Sequence, residues 1–211
     1  MLAELGTRRQ LVCCAFDDGS FPIMDLLDLL ESRRSTPSRQ LGAPGPEGDQ
    51  LDRLLAAAVR VPDHGKLVPW RLVLIDGDAR RRLGERLAEI HLRKEPEVPP
   101  AVLAKDRERY TFAPLVIMVV ARLTYEHPKV PVQEQILSAG CVAYNLLLGA
   151  QGLGFGAQWL TGWAAYDRDA QELLGIAPHE RIVGFVHIGT PRETAPERPR
   201  PDLLELVSEW P

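Results

Sequence analysis

Residues 133–151, QEQILSAGCVAYNLLLGAQ, constrain the fold more than any other stretch of the chain. Ile136, Leu137, Ala139, Val142, Ala143, Leu146, Leu147 and Ala150 recur at helical spacing and fall on nearly every side of the cylinder. A surface helix keeps its apolar residues in one stripe, so one that is apolar almost all round belongs inside a large core or between two copies of the chain. A small monomer cannot cover so many faces, and apolar surface left open marks an interface. The chain is therefore expected to dimerise. Cys141 lies in the same run and reads as a small buried hydrophobe.

The elements around this helix follow from periodicity. From Met24, MDLLDLLESRR sets Leu26, Leu27, Leu29 and Leu30 on one helical stripe with Asp25, Asp28 and Glu31 outside it, and Pro37 stops any continuation. A second helix runs from residue 48 or 49 to about 60, with Leu51, Leu54, Leu55 and Val59 inward. WRLVLI at 70–75 alternates as a strand, and a charged helix follows over 79–93 before a proline-rich loop at 95–100. LVIMVVA at 115–121 is a continuous apolar run of strand length, which fits a strand covered on both faces. IVGFVHI at 182–188 is the last strand, and 192–201, with three arginines and three prolines, should cross the surface as an extended arm. No internal repeat appears. The sum is an α+β or three-layer α/β domain.

At 211 residues a single core suffices, so one domain is expected. A net charge of −4 gives no overall attraction to nucleic acid or to an anionic membrane, so any anion site must be local. Three cysteines without metal-spaced partners build neither a disulfide framework nor a zinc site, and a reducing cytoplasm is the natural compartment. No apolar run approaches the roughly 18–20 residues that span a bilayer. Residues 1–23 hold only a short apolar stretch, 11–16, broken by Asp17 and Asp18. They read as a loosely ordered extension or an upstream start ahead of a domain at 24–211.

Three stretches carry candidate chemistry. RVPDHGKLVPW at 60–70 is rich for a helix-to-strand connector, either a loop that holds a ligand or a proline-stiffened link with Trp70 plugging the core. Within it, His64 follows Asp63, which could orient the imidazole. His64 has neither metal-spaced partners nor a nucleophile to serve, which leaves a hydrogen-bonding or stacking contact to a ligand, or a structural histidine. In SRRSTPSR at 32–39, Arg33, Arg34 and Ser35 could hold a phosphate, helped by Arg39 and Arg60, or the arginines could simply complement a helix dipole. GLGFG at 152–156 follows a helix rather than a strand, so it is no dinucleotide fingerprint; it ends the long helix and lets backbone approach something flat or bulky. QWLTGW at 158–163 then offers aromatic faces, amides and a hydroxyl, with Trp163 the better candidate for the core.

Taken together, the RRS at 33–35, PDHGKLVPW at 62–70, AGCVAYNLLLGAQGLGFGAQWLTG at 139–162 and IVGFVHIGTP at 182–191 resemble the nitroreductase family, most nearly its short bacterial NAD(P)H nitroreductase subgroup. The resemblance covers residue 24 to about 201. It implies an α+β, three-layer fold, with a mainly antiparallel central sheet between helices, a long central helix and an intertwined homodimer. It also implies one FMN per active site, at the subunit interface, and NAD(P)H as hydride donor to a small-molecule electron acceptor. Arg33, Arg34 and Ser35 then match the segment that binds the FMN phosphate and ribityl chain, and Arg60 and His64 match flavin contacts from the other subunit. Trp159, Leu160 and Thr161 match a further flavin segment. Gly149, Ala150, Gln151, Gly152, Leu153 and Gly154 match a stretch assigned to the nicotinamide nucleotide. The basic tail implies one more phosphate contact, through Arg198 or Arg200.

Two departures stand out. Where many members carry N-x-Q-P-W, this chain has Lys66-Leu67-Val68-Pro69-Trp70, so Lys66 replaces the flavin-edge asparagine. The cation that closely follows the serine is displaced by Pro37-Ser38, making Arg39 its equivalent. Long lid insertions are also missing, so substrate preference does not transfer. The lack of an acid–base dyad agrees with chemistry carried by a cofactor, with Lys66 or Arg39 stabilising the charge of the reduced flavin. The implied reaction is ping-pong hydride transfer. Dehydrogenation, dehalogenation or flavin breakdown on the same fold stays open, as does a non-catalytic flavin-binding homodimer.

Overall fold

The computed structural model describes residues 25–210, so the expectation for residues 1–23 lies outside the described residues. Five strands form one antiparallel sheet: β1 (Leu41–Gly42), β2 (Trp70–Asp76), β3 (Leu115–Arg122), β4 (Gly156–Leu160) and β5 (Glu180–Pro191). β3 and β5 are central, β2 forms one edge, and β4 and then β1 pair along the far side of β5. Among the described residues six helices surround the sheet: α1 (Leu26–Ser32), α2 (Gly48–Ala58), α3 (Ala79–Lys94), α4 (Pro100–Glu108), α5 (Val132–Gly152) and α6 (Arg168–Leu173). The fold is α+β, as expected.

The apolar run of β3 explains its place. Val116, Ile117, Met118, Val119, Val120 and Ala121 are all fully buried, because helices cover both faces of this strand. Leu115, Ile117, Val119 and Ala121 join Val186, Ile188 and the inner residues of α5 and α2 in one core. Val116, Met118 and Val120 join Phe185, Tyr110 and α3, α6 in the other. Between Val119 and Val120 the register with β5 slips by one residue, leaving Val183 unpaired. Its carbonyl accepts from the Trp159 indole at 3.2 Å, and that ring crosses β5 over Gly184, where any Cβ would collide with the indole nitrogen. Bulge, glycine and tryptophan together lock β4 onto β5.

α5 is long and central, as its composition requires. Its own chain covers only part of it: Leu137 is 60% exposed, and Ile136, Cys141 and Tyr144 are also open. Residues 137, 141 and 144 share one helical face, so Cys141 lies on an uncovered stripe and is not buried within its own chain. α1 behaves similarly. Leu26, Leu27 and Leu30 are exposed, and only Leu29 turns partly inward toward Gly152.

Two polar groups anchor the sheet. Arg71 on β2 forms a two-pronged pair with Glu180 at the start of β5, Nε to Oε1 and Nη2 to Oε2, both 2.7 Å. On β5, His187 is 1% exposed and stacks on Tyr110, and its Nδ1 has no hydrogen-bond partner among the described residues. Burial, reinforced by the nearby Arg109 charge, pushes the imidazole down to about 4. An unfolded histidine takes up its proton near 6.5, so the unfolded chain gains protons first as pH falls, and stability drops between those two values. From about pH 7 to about pH 5 this contributes a loss of about 2 kcal/mol. His187→Leu should flatten that part of a urea-unfolding pH profile, and an unaltered slope would contradict the assignment.

Candidate functional site

The segment after α1 runs as extended chain beside β4. The Thr36 amide donates to the Ala157 carbonyl at 3.0 Å, and the Ser38 amide donates to Gln158 Oε1 at 2.6 Å. These two bonds set Arg33, Arg34, Ser35 and Arg39 along the strand that carries Trp159 and Leu160. Arg33 Nη1 donates to Ser35 Oγ at 3.3 Å and meets no acid among the described residues. Arg34 is more committed: it donates to the Glu31 and Arg33 carbonyls, both at 2.9 Å, and forms an ion pair with Glu197. The tail does cross the surface here, with Arg200 Nη2 donating to the Arg33 carbonyl at 3.2 Å. Arg198 sits in the same arm and donates through its amide to Glu197. Arg34, Arg200 and the Arg198 amide thus gather around Glu197, whose carboxyl they hold below the usual range, the Arg34 hydrogen bond most strongly.

Beyond β4 the chain turns at Thr161 and Gly162 into a 3-10 turn, Trp163–Ala165. A pocket of about 370 Å³ opens there, lined by Ser38, Arg39, Lys105, Arg109, Phe112, Leu160, Thr161 and Gly162. The Arg39 guanidinium lies 5.5 Å from the centre of the Phe112 ring. Gly162 has φ +82°, a left-handed backbone that favours glycine, and the tip of the Arg109 guanidinium lies where a Cβ would stand. Asp106, next to Lys105 on α4, is engaged by other partners. Its Oδ1 accepts from the Trp163 indole at 3.0 Å and its Oδ2 sits 2.6 Å from His91 Nδ1.

The connector at 60–69 lies elsewhere, ahead of β2 on the opposite edge of the sheet. Asp63 does not orient His64. Its carboxylate accepts from the Leu67 and Val68 amides at 3.1 and 2.9 Å, because the chain doubles back through left-handed Gly65, Lys66 and Val68. A β-branched residue at φ +48° is strained, and those bonds hold it there. His64 instead sits 2.7 Å from Glu134 on α5, and the Pro62 and Arg60 carbonyls accept from Ser138 and Asn145 of the same helix. Arg60, His64 and Lys66 therefore ride on α5 and are kept apart from Arg33 and Leu160 within one chain. β5 and β3 lie between the two groups, three strand spacings or about 14 Å.

Gly149, Ala150, Gln151, Gly152, Leu153 and Gly154 form the last turn of α5 and its exit. Ala150 is fully buried, the Leu54 side chain crowds Gly149, and Gln151 donates to Ser32 Oγ at 3.4 Å. Trp163 is partly buried against Asp106. Sequence reasoning overlooked Lys105, Arg109 and Phe112, since α4 is short and weakly patterned. Pro99-Pro100 as a helix start, with Lys105 and Arg109 four residues apart beyond it, was the available signal.

Residues 30–190 match the model of the nitroreductase family. The chain is 37% identical over 172 residues to a Haemophilus influenzae protein named "Putative NAD(P)H nitroreductase", covering 82% of this chain and 91% of that one. It is 36% identical over 169 residues to "Putative NAD(P)H nitroreductase YdjA" of Escherichia coli K12, covering 80% and 90%. Among solved structures, a nitroreductase-like family protein from Bacillus cereus superposes with a TM-score of 0.74 at 25% identity, over 90% of this chain and 98% of that one. The FMN and NADPH-dependent nitroreductase NfnB of Sphigopyxis sp. strain HMH shares the fold, with a TM-score of 0.70 at 18% identity over 89% of this chain and 100% of that one.

Proposed function

The chain belongs to the nitroreductase family, and from that premise we propose that it is an FMN-dependent oxidoreductase passing electrons from NAD(P)H to a nitroaromatic, quinone or similar acceptor. One observation carries the reading: residues 33–39 bond along β4 and bring Arg33 and Ser35 to the same sheet edge as Leu160 and Thr161. The residues fit the cofactor. Arg33, which meets no acid among the described residues and donates to Ser35, presents with it a guanidinium and a hydroxyl suited to its phosphate, and Arg34, Arg198 and Arg200 add positive charge nearby. Leu160 and Thr161 offer an apolar wall and a hydroxyl beside them. When bound, FMN supplies the hydride chemistry, and the protein contributes position and charge. No acid–base pair is required of the side chains.

The site is read as shared between two chains. Arg60, His64 and Lys66 lie on the other sheet edge, beside the exposed stripe of α5, where a partner's flavin edge could meet them. Lys66, held in a left-handed turn, is the cation placed to stabilise charge on that flavin. Light scattering at micromolar concentration should give twice the 23.5 kDa chain mass; a monomer would remove the shared site. We place the protein in the cytoplasm; among the described residues no helix is long and apolar enough to cross a membrane.

Initial rates measured while NAD(P)H and a quinone or nitroaromatic acceptor are both varied test the function. Parallel double-reciprocal lines are expected, because donor and acceptor use one position in turn. Intersecting lines, or no turnover with FMN bound, would contradict the reading.

A further inference from the structure

Asp63 has no part in the reading so far, although it lies in the connector beside His64 and Lys66 and gives its carboxylate to backbone amides. We infer that Asp63 is a positioning residue. With Arg122 it holds Val68 in a conformation that this residue would not keep unaided. In doing so it fixes where the Lys66 cation meets the flavin, and how far that cation raises the flavin's reduction potential. The inference rests on the FMN reading and names a residue that tunes it.

The turn is unfavourable on local grounds. Val68 has φ +48°, which a β-branched residue seldom adopts. It also precedes Pro69, whose ring drives the residue before it toward extended backbone. Val68 is 46% exposed, so burial does little to offset the strain. Lys66, at φ +54°, is a second non-glycine residue in the left-handed region. Such strain persists only where the surroundings over-determine it, and it gathers at functional sites.

Two charged side chains impose it here. Asp63 takes the Leu67 amide on Oδ1 at 3.1 Å and the Val68 amide on Oδ2 at 2.9 Å. Arg122, at the end of β3, donates from Nη2 to the Val68 carbonyl at 3.0 Å. Both backbone groups of Val68 are therefore tied to ions. The chain on either side is fixed separately: Ser138 donates to the Pro62 carbonyl, His64 sits 2.7 Å from Glu134, and the Arg122 amide donates to the Pro69 carbonyl at 3.1 Å. The freedom left in the connector lies at 65–68, with Lys66 exposed in their midst. Letting Val68 relax to an extended φ forces compensating rotations at 65–67 and re-aims the Lys66 side chain.

Charge separates this role from a direct one. A cation held beside the flavin favours its reduced, more negative form and raises the potential. If Asp63 acted only as a nearby anion, neutralising it would raise the potential further. If it acts as a clamp on Lys66, disturbing it lowers the potential. The two roles have opposite signs.

Anaerobic redox titration of the FMN-loaded protein tests this, with wild type, Asp63→Asn, Asp63→Glu and Lys66→Met. Lys66→Met should lower the potential by about 30 mV, a tenfold loss of affinity for reduced over oxidised flavin. Asp63→Asn replaces one accepting oxygen with a donor and should shift the potential in the same direction. Asp63→Glu keeps the charge but sets the carboxylate a methylene too far, and should do likewise, so the test survives if one variant folds poorly. In the Lys66→Met background neither change should lower the potential further. Adding Val68→Gly to Asp63→Asn should recover most of the loss, because glycine holds a left-handed φ without a clamp. A potential that rises or stays put in both Asp63 variants overturns the inference. So does an equal fall with and without Lys66, or a Lys66→Met potential equal to that of wild type. A wild type that keeps no flavin overturns the FMN reading and the inference with it. Flavin retained with unmoved potentials leaves that reading standing and removes the role of Asp63 alone.

Discussion

Glu180→Ala should lower the unfolding free energy by about 3 kcal/mol, the lower end of the range for breaking a buried pair. The carboxylate is 5% exposed and receives both prongs of Arg71, with the Ala177 amide as a third donor at 3.0 Å. Removing it strands a partly buried guanidinium and unties the edge strand β2 from the start of β5. The lower end applies because the Arg71 side chain keeps 30% of its exposure and can recruit water. Titration gives the same scale. The Arg71 guanidinium, above all through its hydrogen bonds, holds Glu180 down to about 2 from an ordinary 4.5. A lowered carboxylate contributes stability that is fully present above 4.5 and is lost as pH falls toward 2. Urea unfolding at neutral pH measures the effect; a change below about 1 kcal/mol would mean the pair behaves as a surface bridge.

Arg33→Ala should weaken FMN binding about ten- to hundredfold, the loss of one charge-assisted contact of about 1.5–3 kcal/mol, while the protein stays folded. Arg34→Ala should weaken it less. Its guanidinium is already engaged by Glu197 and by the Glu31 and Arg33 carbonyls, so its role is to shape the segment. If the two arginines only complement the dipole of α1, the double variant loses a few tenths to about 1 kcal/mol of stability and binds FMN as wild type does. FMN titration of the apoproteins, followed by flavin fluorescence, separates the two outcomes.

The fold was legible where a pattern was long or extreme. α5 and β3 are apolar over whole turns or whole strands, and nothing but a covered position satisfies such runs. Short elements stabilised by tertiary contacts were not legible. No strand pattern marks β4, which depends on Gly184 and the Val183 bulge giving Trp159 a place to lie, and α4 shows little amphipathicity because much of its surface is solvated. Cys141 looked buried because sequence cannot tell which side of an apolar helix its own chain covers. In the candidate site, the nearness of residues 33–39 to β4 depends on Thr36 and Ser38 bonding across more than a hundred residues, which no local pattern reports. Likewise Asp63 beside His64 suggested a pair, yet the Leu67 and Val68 amides, four and five residues on, compete better for the carboxylate.

The central claim is that this chain holds a flavin that NAD(P)H can reduce. The protein reconstituted with FMN, freed of unbound cofactor and kept anaerobic, should be yellow and lose its visible flavin band on adding NADH or NADPH. The colour should return when a nitroaromatic or quinone acceptor is added. A protein that retains no flavin, or that stays yellow with excess of both nucleotides, would contradict the account.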